Sequence, residues 1–211
     1  MSPARVLTTR GRLAASVLLL TLVAGLPHAA ATPASVLAIA VDRAVIEKVE
    51  DGIGDEAFLA TIAAVITSKL GLPLPSPLHA HFYESAEAFE SGLIRDARAN
   101  PAMAKEHTRF AIGVGSGRGI FLRRDRLTIT SFLGRVGLYA HELAHVAQAT
   151  LADGRRIASE QWLREGHADW VKYQVLAQLG LATYERSSRI SVEQFSDEFA
   201  TYLGALVRRP Q

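Results

Sequence analysis

The stretch Val136-Gly137-Leu138-Tyr139-Ala140-His141-Glu142-Leu143-Ala144-His145-Val146-Ala147-Gln148-Ala149-Thr150 decides how this chain is read. At about 100° per residue, Val136, Tyr139, Ala140, Leu143, Val146, Ala147 and Thr150 gather on one side of a helix. His141 and His145 fall on the opposite side with Leu138 and Ala149, and Glu142 lies at its margin. One face is predicted to enter a core while the other fronts a cleft. The two histidines stand one helical turn apart, so their imidazoles can grip one zinc ion. Glu142 leans toward the same ion and can polarise a bound water. A lone histidine is usually a satisfied core residue, but neither of these shares the apolar stripe.

Working outward, a second helix is predicted from near Ser159 and includes Trp162-Leu163-Arg164-Glu165-Gly166-His167-Ala168-Asp169-Trp170. Trp162, Glu165, Asp169, Tyr173 and Leu176 share one stripe at spacings of three and four. Two carboxylates are thereby set among large apolar residues, which is costly unless something positive compensates them. A zinc ion with its imidazoles is one such partner; the alternative is a pair of solvated acids beside Arg164 or Lys172. His167 falls on the far side with Arg164, Gln174 and Gln178, on the expected solvent face. Glu165, His167 and Asp169 are the third-ligand candidates of this helix.

Upstream, residues 36–70 alternate apolar and charged positions at helical spacing, with a break or cap near Gly52 and Gly54. Leu72-Pro73-Leu74-Pro75-Ser76-Pro77 reads as a stiff connector from helix to strand. Leu78 to Tyr83 is predicted as a strand and Ser85 to Arg98 as a helix. Arg109 to Arg124 reads as two short strands around Gly113, Gly115, Gly117 and Gly119. Those glycines fit neither a dinucleotide fingerprint nor a phosphate loop, so a hairpin or bulged edge strand is expected. From about Leu127 the pattern stays helical. The expected class is α+β: a small mixed or antiparallel sheet packed on the His141–His145 helix, with a mostly helical C-terminal part.

Composition bounds the function. The 211 residues are 49% apolar and 21% charged, as in one folded domain. The absence of cysteine excludes disulfides, iron–sulfur clusters, thiol nucleophiles and Cys-ligated zinc. Residues 1–31 have the parts of a secretory signal: Arg5, Arg10 and Arg12, an apolar run from Leu13 to Leu26, then Ala29-Ala30-Ala31. The apolar run covers only about two-thirds of a bilayer core, so cleavage near Ala31 is expected rather than anchoring. Three of the 23 basic residues go with that leader, leaving 20 against 21 acidic ones. A net charge of −1 gives no electrostatic footprint for nucleic acid. The expected product is a single domain over residues 32–211, periplasmic or secreted, without stable membrane insertion.

His141, Glu142, His145 and Glu165, supported by Asp169, resemble the site of the gluzincin metallopeptidases, the thermolysin-like branch of the zincins. Glu165 follows His145 by 20 positions, a separation typical of that branch, and Asp169 comes one helical turn later. Trp162 to Ala168 is similar to the second-helix signature of small bacterial peptidases of this group. The metzincin pattern is excluded, because Gln148 and Leu151 occupy the places of its glycine and third histidine.

The resemblance implies a zincin-like fold and one zinc ion held by His141, His145 and Glu165. It implies that Glu142 takes a proton from water attacking a peptide carbonyl, and that Asp169 fixes the tautomer of His141. It also implies a peptide or protein substrate lying along an edge strand near Gly113 to Gly117. Relatives with a downstream tyrosine suggest Tyr184 or Tyr202 as the oxyanion donor. Two other functions fit the motif. One is a zinc-stabilised binding module without catalysis, against which Glu142 argues, since a structural site needs no base. The other is a zinc hydrolase of a non-peptide amide or ester.

Overall fold

Short apolar-rich runs give four short strands among the described residues. They are β1 (Ser35–Ile39), β2 (Leu78–Tyr83), β3 (Gly113–Ser116) and β4 (Gly119–Arg123). The computed structural model describes residues 35–153, 155, 160–183, 185 and 189. Within it the strands form one mixed sheet in the order β1-β2-β4-β3. β1 runs antiparallel to β2, β2 parallel to β4, and β3 antiparallel to β4. The helices are α1 (Asp55–Ser68), α2 (Ala86–Arg95), α3 (Pro101–Phe110), the single turn α4 (Arg124–Leu127), α5 (Phe132–Ala152) and α6 (Gln161–Gln178). The α+β class with a small mixed sheet is therefore observed.

Local chemistry marks the helix starts. Ser85 accepts a hydrogen bond from the Ala88 amide ahead of α2, and Ser131 accepts one from Gly134 ahead of α5. Asn100 accepts from the Met103 amide, with Pro101 at the first helical position of α3.

One face of the sheet, carrying Ile39, Leu78, Ala80, Phe82, Ile120 and Leu122, packs on α1, α5 and α6 in the main core. Tyr83 and Phe121 point to the other face, where they pack with Phe89 and Leu93 of α2 and Ala104 of α3. The α5 stripe enters the core as expected: Val136, Tyr139, Ala140, Leu143, Val146 and Ala147 are fully buried. Thr150 is only half-buried.

Three expectations need correction. Residues 35–39 form a strand and not the start of a helix, because pairing of Ser35 with Phe82 through Ile39 with Leu78 overrides the local period. The helix that follows begins only at Asp55, with Gly54 as its cap. Arg109 and Phe110 end α3 instead of opening a strand; the Asn100-Pro101 cap signal was available to find that helix. Finally, the stripe through Trp162 is buried only at its C-terminal end: α6 buries Ala168, Val171, Tyr173, Val175 and Leu176. Trp162, in the first turn, is 73% exposed.

Residues 1–31, Ser159, Tyr184 and Tyr202 lie outside the described residues. No helix among the described residues is long and apolar enough to cross a membrane.

Candidate metal centre and cleft

The core stripe of α5 fixes its rotation, so His141 and His145 turn toward the N-terminal half of α6. Glu165 reaches across from that helix. Its Oε2 lies 3.2 Å from His141 Nε2 and 3.4 Å from His145 Nε2, and the two Nε2 atoms are 3.2 Å apart. Three potential ligand atoms thus form a nearly equilateral triangle. Among the described residues this is the one His/Cys/Asp/Glu group able to hold a metal ion.

The donor set can be tested against zinc. With zinc–nitrogen and zinc–oxygen bonds of about 2.0–2.1 Å, the edge of a tetrahedron is about 3.3–3.4 Å. The observed sides match that length without rearrangement. Two imidazoles and a carboxylate suit zinc, whereas calcium and magnesium prefer all-oxygen cages. The residues fit the ion.

Asp169 supports the first histidine. His141 Nδ1 donates to Asp169 Oδ1 at 3.1 Å, and Lys172 Nζ donates to the same oxygen at 2.7 Å. Asp169 thus has both the histidine and the lysine partner that the sequence offered as alternatives. Burial pushes the Asp169 carboxyl up, but the hydrogen bonds from His141 and Lys172 and their charges outweigh it and hold it at about 2. For His141, burial disfavours the charged ring. The Asp169 hydrogen bond and the charges of Glu142, Asp169 and Glu165 win, and its pKa is raised.

Glu142 is buried, at 7% exposure, and is the only carboxylate so buried among the described residues. Its Oε2 accepts a 2.6 Å hydrogen bond from the Gly115 amide of β3. Burial raises its pKa against the opposing pull of His141, His145 and the Gly115 amide. A buried carboxylate that prefers to hold a proton is suited to proton transfer.

The glycines of β3 have a steric purpose. Gly113 and Gly115 pair with Leu122 and Ile120, so they face α5 across the core side of the sheet. A Cβ on Gly115 would sit 2.0 Å from the Glu142 carbonyl oxygen. Only glycine lets the strand lie this close to the turn of α5 that carries Glu142. β3 is also the sheet's edge, and the Ser116–Gly119 closing pair turns the amides and carbonyls of Gly113 and Gly115 outward from the sheet, where the Gly115 amide meets Glu142.

A cleft of about 770 Å³ runs between β3, α5 and the start of α6. Its remaining wall comes from α2, α3 and the loop between them, through Leu93, Ala97, Arg98, Ala99, Met103 and His107. Arg98 holds a left-handed conformation there, at φ 60°. Sequence reasoning missed this wall, since nothing local ties residues 93–107 to a motif more than thirty positions away.

His167 is not part of the triangle. It is half-buried, and its Nδ1 lies 3.0 Å from Gln148 Nε2. Arg164 lines the cleft. Gln148, which in the sequence only departs from the metzincin pattern, places its Oε1 3.0 Å from His145 Nδ1. No protein family, curated protein or solved structure matches the chain.

Proposed function

We propose that this chain is a zinc-dependent peptide-bond hydrolase with a zincin-like fold, in which His141, His145 and Glu165 hold one zinc ion and Glu142 is the general base. The observation that carries the proposal is the 3.2–3.4 Å triangle of two imidazole nitrogens and a carboxylate oxygen, with a buried carboxylate in the next helical position. Zinc held there supplies electrophilic polarisation of a carbonyl and acidification of water. Glu142 takes the proton of the attacking water and returns it to the leaving amine. Its burial raises its proton affinity, which favours the first transfer, and the Gly115 amide keeps its carboxylate in place. Asp169 holds the proton of His141 on Nδ1 and so leaves Nε2 free as a ligand.

A peptide is the favoured substrate because the outward Gly113 amide and the carbonyls of Gly113 and Gly115 can pair with an extended backbone, which a small ester lacks. With the leader removed, the enzyme works in the periplasm or outside the cell. The test is metal analysis of the purified protein together with a peptide-library digest, run beside Glu142→Gln. One zinc per chain and cleavage lost in Glu142→Gln are expected. Zinc without cleavage in either protein points to a stabilised binding module, and turnover of esters alone points to a non-peptide hydrolase. Absence of zinc overturns the reading.

A further inference from the structure

We infer that Gln148 is a positioning residue: it selects the tautomer of His145 and ties that ring to the turn of α6 that carries Glu165. The assignment follows from one atom that can only accept. The amide group of Gln148 lies 2.9 Å from the backbone carbonyl oxygen of Arg164, so the atom facing that oxygen is the amide nitrogen. The other end, Oε1, then faces His145 Nδ1 at 3.0 Å and can only accept. His145 must donate from Nδ1. Its neutral ring therefore carries no proton on Nε2, the atom that points at His141 Nε2 and Glu165 Oε2.

The second amide hydrogen of Gln148 has its own acceptor, His167 Nδ1 at 3.0 Å. That leaves the proton of His167 on its other nitrogen. Both donors and the acceptor of the Gln148 amide are thus used, which fixes its orientation. Its reach from α5 to the Arg164 carbonyl clamps the residue next to Glu165, so one side chain sets a histidine and steadies the third ligand.

The two histidines are held by different chemistry. His141 leans on a carboxylate whose charge Lys172 offsets. His145 leans on a neutral amide, which adds no further negative charge to a site already holding Glu142, Glu165 and Asp169. A carboxylate at position 148 would also set an oxygen against the Arg164 carbonyl.

The tautomer claim stands on hydrogen bonds alone; its consequence for metal affinity rests on the zinc reading above. Both are tested with Gln148→Met, which keeps length and removes hydrogen bonding, and Gln148→Glu, which keeps only the acceptor. Imidazole nitrogen NMR of the metal-free proteins, at a pH where His145 is neutral, reads the tautomer. Zinc titration against a chromophoric chelator reads affinity. In the parent and in Gln148→Glu the His145 proton is expected on Nδ1. In Gln148→Met a substantial share moves to Nε2, and zinc affinity falls about 10- to 100-fold. Parent-like tautomer and affinity in Gln148→Met overturn the inference, as does an Nε2 proton in Gln148→Glu. A parent that binds no zinc but shows the expected tautomer shift overturns the zinc reading and leaves the role of Gln148 standing.

Discussion

The helical wall of the cleft presents side chains, whereas the strand wall presents backbone. On α5 and α6, His141, His145 and Glu165 converge because packing fixes the rotation of each helix, and Asp169 and Gln148 then fix each ring. On β3 the groups at the open edge are backbone amides and carbonyls, and the two residues that face α5, Gly113 and Gly115, carry only hydrogen, so that the strand can lie on that helix. On the helical wall each histidine has its own side-chain partner, Asp169 for His141 and Gln148 for His145. The strand wall cannot accept even one Cβ at Gly115. Chemistry carried by side chains depends on such partners, while chemistry carried by backbone depends on close approach.

Removing groups from the helical wall breaks the comparison most strongly. Glu142→Gln should lower turnover by about 100-fold or more with zinc retained, as read by steady-state kinetics with metal analysis. Glu165→Ala should lose most zinc affinity and all activity, because two imidazoles alone leave the triangle open. Unchanged zinc content in Glu165→Ala would remove it from the ligand set. One step further out, Asp169→Ala should weaken zinc by about 10- to 100-fold, measured by chelator competition.

The strand wall is probed by Gly115→Ala. Its Cβ meets the Glu142 backbone oxygen at 2.0 Å, so β3 must shift off α5. A loss of about 1–3 kcal/mol in denaturant-derived stability is expected, together with reduced turnover. Parent-like stability would show that the strand can slide without cost.

Acidity separates the metal-free from the loaded protein. His141 and Glu142 both have raised pKa values, from 6.5 and 4.5, so each binds its proton more tightly when folded. Their contribution to stability is complete below those ordinary values and is lost as pH rises through the folded ones. Asp169 has the opposite sign: its contribution is present above 3.8 and is lost as pH falls toward about 2. The chelator-treated protein should therefore melt at a lower temperature as pH rises from 4.5. The zinc-loaded protein should show the reverse, because protons compete with the ion for His141. Thermal melts of both forms across that range check the sign. The smallest effect is reserved for His167→Ala, which removes one acceptor from Gln148 and should leave zinc affinity within about threefold of the parent.

The sequence alone determined which way α5 faces. Period 3.6 put six residues of α5 into the core and turned His141 and His145 away from it, since both facts follow from position on one helix. The hairpin around the glycines and the grouping of Glu165 with Asp169 were equally local. Tertiary structure decided the rest. The strand at Ser35–Ile39 exists because β2 is there to pair with it. The buried side of α6 runs through Ala168, Val171, Val175 and Leu176, while Trp162 in the first turn stays exposed because nothing among the described residues covers it, which a period count cannot report. Gln148 and Gly115 gained their roles from partners 16 and 27 positions away. Helical period reports which way a residue points on its own axis; only the packing of several axes reports what it meets there.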